Sequence, residues 1–194
     1  MGWRTASLPF AYKINDLRRE AVDKVKLYHF SDNSEIDLFK PRQLDYRMDE
    51  PAQVWAIDEF HAPHYFSPRD CPRVCIWPKE DTTEQDFYRF FGHSKTKRII
   101  AFETGWLERI TKGFIYRYVF NGDEFTLQDS NAGYYTTTST VKPIAVERMD
   151  HLLERITVQG IEVRITPSLI PLKQSILSST INFSMIRMRN AIQE

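Results

Sequence analysis

Pro68-Arg69-Asp70-Cys71-Pro72-Arg73 runs directly into Val74-Cys75-Ile76-Trp77, and Val54-Trp55-Ala56-Ile57 stands shortly before it. The two apolar quartets read as buried strands. The segment between them is built differently. Its prolines hold φ near about −65° and withdraw two backbone donors. Its arginines, aspartate and thiol are therefore carried on a stiff, turned backbone. A rigid charged loop between two core strands is a common place for a binding site.

Working outward, Val25-Lys26-Leu27-Tyr28-His29-Phe30 alternates as a strand, and Ser31-Asp32-Asn33-Ser34 carries turn chemistry. A short helix is expected over 16–25, behind an arm of 1–11 that shows no period. Residues 40–52 form a polar connection around Pro41 and Pro51. The strand of Trp55 spans 53–57, and Asp58 is placed to cap a short helix reaching 66. Further strands are predicted at 73–77, 98–102, 114–120, 134–138, 143–146 and 161–165. Helices are predicted from Asp81-Thr82-Thr83-Glu84 onward, from Thr104 to Ile110, and over 149–156. The remaining C-terminal stretch reads equally as helix or strand. Strands outnumber helices and the connections are mixed, which favours an α+β class. The expected architecture is a single domain over 25–194, a twisted, largely antiparallel sheet with flanking helices, preceded by an arm and short helix over 1–24. Its core should hold Trp55, Ile57, Val74, Ile76, Ile100, Phe102, Tyr116 and Tyr118.

The 194 residues suffice for one substantial core, and an aromatic content of 13% supports a packed protein rather than a disordered one. Lys+Arg and Asp+Glu both total 26, so the strong positive field of a general nucleic-acid binder is absent and no nucleic-acid partner is expected. No apolar run is long enough to span a bilayer, and no basic-then-apolar leader pattern opens the chain. Cys71 and Cys75 would lie about 13 Å apart on an extended strand, too far for a disulfide. Both are expected as free thiols, and the location as cytoplasmic.

His29 and Ser31 share one face of their strand and make a polar pair at its end. Such a pair faces a cleft, or the histidine simply bonds backbone at the strand terminus. Arg69 and Arg73 suit a clamp on phosphate or carboxylate. The alternative is an internal ion-pair cluster with Asp70. His61, His64, Cys71 and Cys75 are metal-capable, but their spacing matches no standard finger, and no metal is expected. His61, Glu108 and Asp129 are candidate acids or bases. Arg187, Arg189 and Asn190 either reach a ligand or pack across the domain and satisfy carbonyls. No phosphate-binding glycine loop, nucleophile elbow or zinc-protease helix occurs.

Leu27-Tyr28-His29-Phe30-Ser31, the Trp55 strand, the proline-arginine heptad, Trp106-Leu107-Glu108-Arg109, Ile115-Tyr116-Arg117-Tyr118 and the terminal Arg187-Met188-Arg189-Asn190-Ala191 together resemble an uncharacterised bacterial protein family. That family brings no known activity. The opening is also similar to ADP-ribosyltransferase-like folds of the rifamycin-modifying type: a strand ending Tyr-His, a polar connection, then a strand of the Val-aromatic-Ala kind followed by a helix. This second resemblance implies an NAD-binding or ADP-ribosyl-transferring protein. It places the ribose on His29, with Ser31 beside it, and the nicotinamide under Trp55 or Tyr65. The diphosphate falls to Arg69 or Arg73, and the later acidic position to Asp129. The chain departs from that pattern at Phe30, at Trp55 where tyrosine is usual, and in having no Glu-x-Glu or Gln-x-Glu pair. The alternative is a non-catalytic module for a small anion, a nucleotide or a protein partner.

Overall fold

A computed structural model describes residues 25–44 and 48–193. The expected arm and helix over 1–24 lie outside the described residues.

The strands are β1 (Lys26–Ser31), β2 (Val54–Ile57), β3 (Arg73–Trp77), β4 (Ile99–Glu103), β5 (Ile115–Asn121), β6 (Thr126–Asp129), β7 (Tyr134–Thr137), β8 (Ala145–Met149), β9 (Glu162–Thr166) and β10 (Asn182–Ile186). The helices are α1 (Glu84–Phe91), α2 (Leu107–Lys112), α3 (Leu152–Thr157) and α4 (Ile170–Leu177). The strands form two sheets rather than one. The first runs β6-β7-β2-β1-β5-β8 and the second β10-β3-β4-β9. Every pairing is antiparallel except β4 with β9. The chain is thus an α+β domain with largely antiparallel sheets.

β3 and β4 are buried along their whole length because both faces of their sheet are covered. Their side chains alternate strictly between two cores, as a period of two requires. Cys75, Trp77, Ile100 and Phe102 join Tyr28, Ile57, Ile115 and Met149 between the sheets. Val74, Ile76, Ile99 and Ala101 face away, onto Phe90 and Phe91 of α1 and Ile176 of α4. A third cluster covers the outer face of the first sheet, where Phe39 packs against Leu27, Val54, Ala56, Tyr118 and Phe120. Of the expected core, six residues are buried; Trp55 and Tyr116 are half-buried.

Several local expectations need correction. Between Asp58 and Phe66 only a 3-10 turn forms, Ala62–Tyr65, with a proline in its first turn. The strand expected at 143–146 lies at Ala145–Met149, since its register on β5 runs to Met149 opposite Ile115. The following helix therefore starts only at Leu152, after the left-handed His151 (φ 54°). The exposed edge strand β6 was not expected. The C-terminal stretch contains one helix and one strand in turn, α4 and β10.

Candidate functional site

β1 and β5 pair at all six positions of β1, from Lys26 opposite Asn121 to Ser31 opposite Tyr116. β1 and β2 pair only once, Tyr28 opposite Ile57, and then splay apart. His29 bridges the gap: its Nδ1 lies 3.0 Å from the Trp55 carbonyl oxygen. A carbonyl only accepts, so Nδ1 carries the proton and donates. Burial holds the imidazole below its ordinary pKa of 6.5, Arg69 and Arg42 push the same way, and the bond to Trp55 opposes them. A neutral ring with Nδ1 protonated keeps Nε2 as a lone-pair acceptor. The ring is edge-on to Phe39 at 5.0 Å, which fixes its orientation.

The splay opens a cleft of two adjoining chambers. His29, Ser31, Tyr65, Arg69, Tyr134 and Arg187 line both. The inner chamber, about 360 Å³, adds Asp32, Ser67 and Arg73 together with apolar Ile115, Met185 and Ile186. The outer one, about 430 Å³, adds Trp55, Gln53, Lys40 and Arg42 to an apolar wall that includes Ile36 and Leu38. Tyr134 connects them: its hydroxyl meets that of Tyr65 at 2.8 Å, and its ring is edge-on to Trp55 at 5.6 Å.

The two ends of the heptad behave differently. Arg73 is buried, donating from Nε to the His64 carbonyl and from Nη1 to the Cys71 carbonyl, each at 2.8 Å. Its guanidinium lies over the Tyr65 ring at 5.2 Å. Arg73 therefore holds the turn to the sheet from the chamber wall, through carbonyls rather than through the Asp70 ion pair considered from sequence. Arg69 is exposed, and among the described residues its guanidinium has no hydrogen-bond or ion-pair partner. The C-terminal segment clamps the turn from outside. Arg187 Nε donates to the Arg69 carbonyl at 3.3 Å and Asn190 to that of Asp70 at 2.8 Å. Its carbonyl-satisfying alternative is thus what forms, yet Arg187 also lines both chambers.

His29, Ser31, Trp55, Tyr65, Arg69 and Arg73 all border this cleft. Asp129 does not. It ends β6, and its carboxylate accepts from the backbone of Asn131 and Ala132 in the turn that follows. An Asx turn of this kind explains its place in the sequence without any ligand. Asp32 is the carboxylate that lines the cleft among the described residues. His61 and His64 pack around Trp77 at 5.3 Å and 5.2 Å, outside the cleft lining. Cys71 and Cys75 are free and buried, and burial pushes both thiols up to about 12. Neither has the thiolate character of a nucleophile.

Sequence reasoning did not single out Ser67, Gln53, Tyr134 or Arg42. Ser67 is 3% exposed, and its hydroxyl has no hydrogen-bond partner. Gln53 Oε1 is likewise buried and without a partner. Each lines a different chamber. Buried polar atoms are nearly always satisfied, so orphans in a cleft wall are placed to pair with whatever fills the cleft, solvent or ligand. Together the groups offer an acceptor at His29, an acceptor at Gln53, a hydroxyl at Ser67, aromatic walls, and cations at Arg69, Arg42 and Arg187. That set suits binding of an anionic, hydroxyl-bearing molecule with an aromatic part.

Among the described residues no helix is long and apolar enough to cross a membrane. No curated protein matches the chain, and no solved structure does. The model of one protein family matches residues 28–191, from β1 to the end of the C-terminal clamp, and the chain belongs to that family of unknown function, DUF6886.

Proposed function

We propose that the cleft binds a dinucleotide of the NAD class. The observation that carries this reading is the splay of β1 from β2. It brings a neutral His29 with a free Nε2 to the boundary between a chamber walled by Trp55 and a rim carrying Arg69 and Arg187. A ribose hydroxyl donates to His29 Nε2. An aromatic ring lies against Trp55 and Tyr134, whose faces and edges favour such contacts. The diphosphate meets Arg69 and Arg187, whose forked donors match phosphate oxygens. The Ser67 hydroxyl takes a polar group of the part that enters the inner chamber. The likeness of the His29 strand to the opening of ADP-ribosyltransferases supports a ribose at His29. At Trp55, where that likeness implies the nicotinamide, the adenosine half is placed instead, because the Asp32 carboxylate lines the other chamber.

This function is binding. Transfer of an ADP-ribosyl group needs a carboxylate near the ribose carbon from which nicotinamide departs, and Asp129 lies away from the cleft. A transferase reading rests on Asp32 alone.

Calorimetric titration with NAD, ADP-ribose and nicotinamide tests the proposal. NAD and ADP-ribose should bind. Arg69→Ala should weaken them by about 1.5–3 kcal/mol, the usual worth of a charge-assisted hydrogen bond. His29→Ala should cost less, about 0.5–1.5 kcal/mol, because its bond to a hydroxyl is neutral. A well-folded protein that shows no heat at millimolar dinucleotide would overturn the reading. Release of nicotinamide on prolonged incubation, abolished by Asp32→Asn, would establish the transferase instead.

A further inference from the structure

The outer chamber has more positive charge than a dinucleotide diphosphate needs. Lys40, Arg42, Arg69 and Arg187 line it, and no carboxylate of a described residue does. If the diphosphate meets Arg69 and Arg187, Lys40 and Arg42 remain without an anion. Arg42 is also close enough to depress the pKa of His29, yet among the described residues its guanidinium has no hydrogen-bond or ion-pair partner. The chain as a whole is neutral, with 26 basic and 26 acidic residues. The surplus is therefore local to the cleft, reduced at Arg187 by the Asp70 carboxylate 4.0 Å from its Nε.

Arg42 has a defined neighbour. Its backbone N–H donates to the Gln53 carbonyl at 3.0 Å, and the Gln53 N–H donates back at 3.2 Å. Residues that exchange both bonds across an antiparallel bridge lie directly opposite, with their side chains on the same side. Arg42 thus presents a cation next to Gln53, whose Oε1 is a buried acceptor with no partner. Trp55, two residues along β2, shares that face. The bridge sets side by side a donor fork for an anion, an acceptor for a hydroxyl, and an aromatic wall.

We infer that the ligand carries a phosphomonoester on a ribose, beside a free hydroxyl, and that the cleft prefers a 2′-phosphorylated dinucleotide of the NADP class to NAD. This rests on the dinucleotide reading given above. Arg42, with Lys40 near it, takes the phosphate. Gln53 Oε1 accepts the neighbouring 3′-hydroxyl. The hydroxyl contact is common to both dinucleotides, so Gln53 contributes to the affinity of each. Arg42 contributes to the difference between them.

Titration of the full chain with NADP and NAD at low and high salt tests this. NADP should bind about tenfold tighter or more, since one added charge-assisted contact corresponds to at least that factor. The preference should shrink with added salt, because Arg42 is solvent-exposed. Arg42→Ala should weaken NADP more than NAD and so cut the preference sharply, while Arg42→Lys restores part of it. Gln53→Ala should weaken both ligands by a similar factor. The fold should tolerate Arg42→Ala because the bridge is made by backbone atoms, and circular dichroism verifies this. Equal, measurable affinity for the two dinucleotides would overturn the inference and leave the dinucleotide reading standing. A preference unchanged in Arg42→Ala would overturn the assignment to Arg42. Binding of neither would overturn both readings.

Discussion

His29 takes over a ladder position that β2 vacates. Where an antiparallel pair would place a backbone donor on the Trp55 carbonyl, the imidazole supplies one, so the sheet opens without leaving that acceptor bare. Burial, aided by Arg69 and Arg42 and opposed by this bond, favours the neutral ring. His64, buried under Trp77, is neutral for a related reason: burial lowers its pKa well below 6.5, and His61, Arg98 and Arg73 add to the effect. Both histidines therefore bind protons more readily in the unfolded chain. Their contribution to stability is complete above about pH 6.5 and is lost as pH falls toward their folded values. Each can contribute a slope of up to about 1.4 kcal/mol per pH unit in that window. Urea denaturation between pH 7.5 and 5 should show stability falling on the acid side. His64→Phe keeps an aromatic ring against Trp77 and removes one titrating group, so its acid-side slope should be shallower. A slope identical to the native protein's would show that His64 does not take up a proton on unfolding.

The second sheet owes its position to elements whose ends are tied by side chains. Thr83 accepts from the Asp86 N–H at the start of α1, and the Asp86 carboxylate in turn accepts from the N–H and hydroxyl of Thr180, just before β10. At the other sheet, the turn into β7 depends on Gly133, whose φ is +68°. A Cβ there would lie 2.1 Å from His61 Nδ1, the atom bonded to Asp58 at 2.7 Å. Gly133→Ala combines a disfavoured backbone with a clash against a buried side chain. Loss of about 2–4 kcal/mol is expected, from left-handed strain and local overpacking together. Thr83→Ala should cost about 1 kcal/mol as a lost cap. Chemical denaturation of the two variants would check the order, and a Gly133→Ala loss no larger than that of Thr83→Ala would refute the clash. The same elements show what was readable in the chain. β3 and β4 were clear because continuous apolar runs mark strands covered on both faces. β6 was not, because an edge strand exposed at all its residues has no apolar period. The stretch Ile170-Pro171-Leu172-Lys173-Gln174-Ser175-Ile176-Leu177 has too weak a one-sided pattern to separate helix from strand. Of the residues lining the cleft, His29, Trp55 and Arg69 were legible as candidates because each sits at a strand end or on a stiff loop. Gln53 and Ser67 were not, because a buried orphan atom is a property of tertiary packing.

The cleft joins parts that the chain keeps far apart. His29, Gln53 and Trp55 belong to the first sheet and its connections, Arg69 and Arg73 to the turn leading into the second, and Arg187 to the segment after β10. The core between the sheets is likewise common property, with Tyr28 and Ile57 from one packed against Cys75 and Phe102 from the other. Neither sheet can bury its inner face without its partner, so the domain should unfold in one cooperative transition. A ligand that needs both sides of the cleft then binds only the folded state. At a hundredfold excess over its dissociation constant it adds about 2.7 kcal/mol, which for a domain of this size corresponds to a rise in melting temperature of roughly 5–11 °C. Far-ultraviolet circular dichroism reports the sheets together, and fluorescence of the four tryptophans includes Trp55 at the cleft and Trp77 and Trp106 at the inter-sheet core. Both signals should melt together without ligand and rise by the same amount with the dinucleotide. The Arg69→Ala protein should melt close to the native one alone, because the exposed Arg69 side chain has no described partner to lose, and should gain much less from the same ligand concentration. Two separate transitions, or a ligand that shifts fluorescence while leaving circular dichroism unmoved, would mean that the sheets unfold independently and that the ligand is held by one of them.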